Sequence, residues 1–198
     1  MRNKVLRTIG IVAVIFGLSG LCFAATNIKI AAIIGDTHQM NVALNKVNGS
    51  TWTPITDLTG IGMDFGTLNK GTDNIFRSDN YFVLDAPVLS SHTTWTVTHT
   101  RTNFASGSNN LNDNVNVKFI KVNNTTNEET LLALAGGGYV SYANSDNKVV
   151  NKTDLTDCRL RIYYSIASGS GDATGTSVIT TSKPSGTYTG TVTLTLSA

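Results

Sequence analysis

The chain has 198 residues, a length for one domain or at most two. Its 15 basic and 13 acidic residues give a formal net charge of +2, and the 15 fall to 12 once Arg2, Lys4 and Arg7 are set aside with the N-terminal segment that carries them. A nearly neutral chain with 14% charged residues offers no basic field for nucleic acid and no acidic tail, whereas 40% hydrophobic residues with about a third Ser, Thr and Asn favour extended strands joined by polar turns.

The cationic start runs into an uncharged stretch from Thr8 to Ala25 whose apolar centre is Ile9 to Leu21, and Cys22-Phe23-Ala24 fits a small-x-small cleavage site. These features predict a signal peptide over 1–24, a mature chain from Ala25, and a secreted or cell-surface protein. The apolar run falls short of the ~20 residues that span a bilayer, so no transmembrane segment is expected after signal removal. With Cys22 removed, Cys158 has no partner for an intrachain disulfide and is expected as a small buried hydrophobe.

Over 25–36, Ile28, Ile30, Ala32 and Ile34 share one face of an extended segment, with Asn27 and Lys29 on the other. Such a segment is either the first strand of its own sandwich or a donor strand that inserts between the sheet edges of a neighbour. Ala31 and Ile33 blur the alternation and leave both readings open. Residues 37–198 show neither a linker nor an internal repeat and read as a single domain.

Further along, Trp52 between Thr51, Thr53 and Pro54 is expected on a loop, where it could serve a sugar-binding platform. Trp95 and Val97 alternate with threonines and place Trp95 on an apolar face. Turn-forming residues from Asn109 to Asn114 lead into Val115, Val117 and Phe119, which oppose Asn116 and Lys118. After the Asn123 to Asn127 turn, Glu128 to Ala135 is either a short helix or the return strand of a hairpin, stopped by Gly136-Gly137-Gly138. A turn from Asn144 to Asn147 precedes Asp157 to Ile166, whose even positions are apolar apart from the phenol tip of Tyr164. Ser168 to Gly175 is a turn, and Val192, Leu194 and Leu196 then alternate with Thr191, Thr193, Thr195 and Ser197. Many short strands with regular turns predict an all-β sandwich or barrel.

Two segments carry a resemblance. Gly62-Met63-Asp64-Phe65-Gly66-Thr67-Leu68 resembles the "DFG-x-L" strand of spore coat protein U-like and fimbrial subunits. The run from Lys183-Pro184-Ser185-Gly186-Thr187-Tyr188 through Val192, Leu194 and Leu196 resembles their closing strand. The resemblance covers about a fifth of the mature chain. It implies an immunoglobulin-like (pilin-like) β-sandwich that lacks one strand and is completed by a neighbouring subunit's N-terminal segment. Its implied partners are further subunits, a periplasmic chaperone and an outer-membrane usher. The chain departs from chaperone-usher subunits in having no cysteine pair outside the leader and in ending Leu196-Ser197-Ala198, without an aromatic residue.

Motifs of chemistry are sparse. There is no G-x-S-x-G elbow, H-E-x-x-H or P-loop, and the glycine runs 60–66 and 169–175 miss dinucleotide spacing and read as turns. Glu128 and Glu129 are adjacent and, in a strand, would face opposite ways. His38, His92 and His99 form no metal-ligand cluster and are expected as solvated or hydrogen-bonded residues. Asn109 to Asn114 and Asn144 to Asn147 offer oxygens that suit calcium, yet neither completes an EF-hand pattern, and turn chemistry accounts for both. No cofactor and no enzymatic activity are expected. With that resemblance the sequence points to a secreted structural subunit of a bacterial cell-surface filament or coat, for which the resemblance implies assembly by strand donation, while residues 25–36 themselves leave donation and pairing in cis both open. The alternative is a monomeric surface adhesin or carbohydrate-binding β-sandwich.

Overall fold

Runs rich in Val, Ile, Thr and aromatic residues, cut by Asn- and Gly-bearing turns, divide this chain into short strands. The computed structural model describes residues 37–58, 62–144 and 146–198, all within the unit Asp36–Ala198. In chain order the strands are β1 (His38–Met40), β2 (Ala43–Asn48), β3 (Thr51–Ile55), β4 (Asn69–Lys70), β5 (Ile75–Arg77), β6 (Asn80–Ala86), β7 (Val88–Ser90) and β8 (Thr96–Arg101). They continue as β9 (Ala105–Ser106), β10 (Asn109–Asn110), β11 (Val115–Asn123), β12 (Glu129–Leu131), β13 (Tyr139–Ser141), β14 (Lys148–Asn151), β15 (Cys158–Ile166), β16 (Ile179–Thr180) and β17 (Val192–Ser197). Two 3-10 turns, Asn112–Asn114 and Lys152–Leu155, are the only helical elements among the described residues.

The large sheet runs β12-β11-β15-β6-β2-β3, with β13 also paired to β11, and every pairing in it is antiparallel. A second sheet runs β14-β8-β17, and shorter ladders join β1 to β7, β9 to β10, and β5 to both β4 and β16. The two main sheets meet face to face. His99 of β8 shares a 3.0 Å hydrogen bond with Tyr164 of β15, and its ring meets Phe119 of β11 edge-on at 5.1 Å. Phe82, Leu84, Leu160 and Ile162 from the large sheet and Val97 and Val150 from the small one are buried in the same core. The protein is thus an all-β sandwich.

Alternation fixes which face is which. In β15 Leu160, Ile162, Tyr164 and Ile166 are buried while Arg159, Arg161, Tyr163 and Ser165 are half-buried on the other side. The register carries this division across the sheet, and it puts Val83, Ile120 and Val122 opposite Tyr163, Arg161 and Arg159 on the face turned away from the core. Those three residues and Val47 are nonetheless at most 2% exposed. The large sheet therefore carries apolar side chains on both faces, and its central strands need not alternate cleanly.

Four local expectations are settled by the structure. The hairpin reading of Glu128 to Ala135 holds: β12 returns along β11, with Val122 opposite Glu129 and Ile120 opposite Leu131. Trp52 is not on a loop; it lies in β3, opposite Val47, because the two-residue turn Gly49-Ser50 sends the chain straight back along β2. The DFG-x-L segment is not a strand. Asp64 Oδ1 accepts the Gly66 N–H at 2.8 Å and bends the chain there, and Phe65 anchors it by packing edge-on against Phe82 at 5.0 Å. Cys158 is only half-buried, since it occupies the first position of β15, beside the turn.

Candidate functional site

β17 lies at the rim of the small sheet. One side pairs with β8, from Val192 opposite Arg101 to Ser197 opposite Thr96, and the other has no strand partner among the described residues. The Thr102 N–H donates to the Thr191 carbonyl at 2.9 Å, which sets the phase of the ladder. In an antiparallel pair alternate residues bond the same neighbour, so Thr193, Thr195 and Ser197 turn their main-chain groups toward β8. Val192, Leu194 and Leu196 turn theirs to the open side. The side chains of these same three residues are half-buried and pack against the core, whereas Thr193 and Thr195 are exposed.

A cleft of about 550 Å³ runs along this edge, between Val192 and Leu194 on one side and Leu44, Met63, Leu84 and Phe104 on the other. A second cleft of about 700 Å³ shares Met63, Phe104, Tyr188 and Thr189 with the first and continues over Phe65, Phe76, Leu111 and Ile179. Together they form an apolar trough bordered by the chain from Thr180 to Leu194. Native sheet edges are commonly blunted by proline or charge. Of the end strands of the large sheet, β3 carries Pro54 and β12 carries Glu129, and the rim strand β14 of the small sheet carries Lys148. β17 carries neither kind of residue.

The sequence-predicted residues fall as follows. Val192, Leu194 and Leu196 occupy β17, and Tyr188 precedes it half-buried, its ring 6.4 Å from Phe104 and its hydroxyl donating to the Pro184 carbonyl at 2.7 Å. Ile28, Ile30, Ala32 and Ile34 lie outside the described residues, as does the leader. Of the oxygens considered for calcium, Asn112 Oδ1 accepts the Phe104 N–H at 2.8 Å and Asn144 Oδ1 accepts the Asp146 N–H at 3.0 Å, whereas the buried Asn114 Oδ1 has no hydrogen-bond partner. Among the described residues no three His, Cys, Asp or Glu side chains are grouped to hold a metal ion, and no helix is long and apolar enough to cross a membrane.

Behind the trough sits His99, opposite Leu194 on one side and Lys148 on the other. It is 2% exposed; burial, with the positive charge of Arg101 adding to it, holds the imidazole down at about 4. Burial also raises the Tyr164 phenol above its ordinary value, so both partners of this contact are neutral at neutral pH. Arg101 donates from Nε to the Tyr142 carbonyl and lies 5.4 Å over the Tyr142 ring. Of the two environments expected for His99, solvent or a hydrogen bond, the structure shows the second, in the buried core. The signal that locates it is parity, since His99 continues the inward series begun by Trp95 and Val97.

No protein-family model matches the chain, and no curated protein matches it. Among solved structures, a chain from a chaperone-tip adhesin complex described as vital for synergistic activation of CFA/I fimbriae biogenesis is similar over 77% of this chain, with 12% identity and a TM-score of 0.36. The present chain spans 41% of the length of that one.

Proposed function

We propose that this protein is a secreted structural subunit of a cell-surface filament or coat, and that its sandwich accepts an extended strand along the open side of β17. The observation that carries the proposal is a coincidence of two properties in the same residues. Val192, Leu194 and Leu196 present main-chain N–H and C=O groups at an edge without a described partner, and the side chains of Val192 and Leu194 line an apolar cleft beside it. Strand addition uses this combination, main-chain bonds for affinity and pockets under alternate side chains for specificity. The proposed occupant is the segment with Ile28, Ile30, Ala32 and Ile34, supplied by a neighbouring subunit. From Ile28 to Ile34 an extended chain spans about 20 Å, close to the length of a six-residue strand such as β17. Both segments that resemble spore coat U-like and fimbrial subunits border the trough: Met63 to Leu68 on one side and Lys183 to Leu194 on the other. A periplasmic chaperone and an outer-membrane usher are the partners this assembly would use.

The test is Ile30→Asp in the full chain, followed by both thermal melting and the oligomer distribution. A carboxylate carried into a neighbour's apolar cleft costs several kcal/mol when it stays unpaired, so the expected result is loss of oligomers with the melting of the single subunit retained. A lowered melting temperature with unchanged association would instead make residues 25–36 the protein's own first strand.

A further inference from the structure

On the face of the large sheet turned away from the core, charged and aromatic side chains converge. Arg161 is held by Asp85 through Nε–Oδ1 and Nη2–Oδ2 bonds, both 2.7 Å, and by Glu129 Oε1 at 2.7 Å from Nη1. Tyr163 donates its hydroxyl to the same Glu129 oxygen at 2.7 Å and stacks on Tyr81 with 6.2 Å between centroids. The Arg161 guanidinium also lies 5.4 Å from the ring centre of Trp52, a residue 44% exposed on the edge strand β3. These contacts join residues from β3, β6, β12 and β15, so the arrangement belongs to the folded sheet and is held rigidly by it.

We infer that this platform is a saccharide-binding site, in which a pyranose ring packs its C–H face on Trp52 and a pair of its hydroxyls meets Glu129. Three properties point to a sugar. An exposed indole fixed by a neighbouring guanidinium offers a flat, electron-rich surface that costs little side-chain entropy on binding, and sugar C–H groups carry the complementary partial charge. Glu129 spends Oε1 on Arg161 and Tyr163, while no hydrogen bond of the sheet-face network uses Oε2, and its side chain is 36% exposed. A hydroxyl can donate to that oxygen. Finally, Arg159 Nε lies 3.9 Å from Asp85, so Arg159 and Arg161 balance Asp85 and Glu129, and the site suits a neutral polar ligand without a strong field for a nucleic acid or a simple anion. The inference does not rest on the strand-acceptance reading, because the platform and the trough use different residues on opposite faces of the large sheet.

The experiment uses the full chain and the fluorescence of its two tryptophans. Trp95 is buried and Trp52 exposed, so iodide quenches chiefly Trp52. Tetrasaccharides of glucose, galactose, mannose and N-acetylglucosamine are titrated in turn. The expected result is that at least one shields Trp52 from iodide, that Trp52→Ala weakens its binding by about tenfold or more, measured calorimetrically, and that Glu129→Gln weakens it while leaving the melting temperature within a few degrees of wild type. The proposal is overturned if none of the four shields Trp52, or if binding survives Trp52→Ala. It is equally overturned if Trp52 becomes shielded only as protein concentration rises, which would make the platform a contact between copies of the chain.

Discussion

His99 Nε2 and the Tyr164 hydroxyl meet at 3.0 Å across the centre of the sandwich, joining the small sheet to the large one, while His99 Nδ1 has no hydrogen-bond partner. A neutral imidazole fits there and an imidazolium does not. In the unfolded chain the ring titrates near 6.5, in the fold at about 4. Between these values the unfolded state binds a proton that the folded state refuses, so the stability this group contributes is complete above about pH 6.5 and is lost as the pH falls toward 4. At the acid limit the loss is about 3 kcal/mol. Urea midpoints at pH 7, 5.5 and 4 should fall steadily for wild type, and His99→Gln, which cannot titrate, should flatten that fall. Parallel slopes for the two proteins would show that His99 is not the group responsible.

Gly138 approaches the Leu132 carbonyl so closely that an added Cβ would overlap its oxygen, and the Gly138 carbonyl itself accepts the Phe119 N–H at 2.6 Å. Both obstacles are main chain in a hairpin that flanks the core, so neither can swing aside. Gly138→Ala should therefore lower stability by about 2 kcal/mol or more, read as a shift in the urea midpoint at constant slope. Gly171 has open space around its Cβ position, though its φ of 69° disfavours a side chain. Gly171→Asn should cost much less, because asparagine tolerates that backbone region. Equal losses at the two positions would argue against the steric account.

Tyr163 tests the polar face of the large sheet. Burial raises its phenol first, and the hydrogen bond to Glu129 with that carboxylate's negative charge raises it further, to about 12. Glu129→Gln removes the charge and keeps a hydrogen-bonding group, so Tyr163 should ionise earlier, at a pH still above the ordinary value near 10. Ring-labelled tyrosine resonances followed through an alkaline titration would report it, with Tyr163→Phe used to assign the signal. An unmoved Tyr163 would place Glu129 away from the hydroxyl.

These residues also show why some of the structure was legible in the sequence and some was not. Strands with one wet face announced themselves: Leu160, Ile162, Tyr164 and Ile166 in β15, or Val192, Leu194 and Leu196 in β17, alternate with polar neighbours as a half-covered sheet requires. β6 did not, because Phe82 and Val83 are both fully buried on opposite faces, and a doubly covered strand loses its period of two. The platform of Asp85, Glu129, Arg161 and Tyr163 was invisible for a different reason. Glu129 and Tyr163 are 34 residues apart and Arg161 and Asp85 76 apart, so only the strand order β12-β11-β15-β6 brings them together. The trough was half legible. Its two walls were the segments singled out by resemblance, but that β17 would sit at a rim with one side open is a property of sheet order, which no local pattern encodes.

The open side of β17 makes its own prediction, independent of the donor segment. Leu194 is half-buried, lines the cleft and turns its main-chain groups outward. Leu194→Lys should keep the sandwich folded, since the lysine stem can lie along the apolar wall while the ammonium reaches the mouth of the cleft, at a cost of about 1–2 kcal/mol in burial. An inward-pointing charge at a strand edge is, however, one of the devices by which natural sheets refuse an additional strand. The variant should remain a folded monomer under conditions where wild type associates, with association weakened at least about tenfold in sedimentation velocity. Thr193→Lys supplies the control, because Thr193 is exposed on the outer face and points its main chain at β8, so the same added charge one residue away should leave association nearly unchanged. If the two lysine variants weaken association equally, the effect is one of net charge and the open edge of β17 is not where strands are accepted. If neither does, subunits join through another surface, and the trough beside Leu194 has no part in assembly.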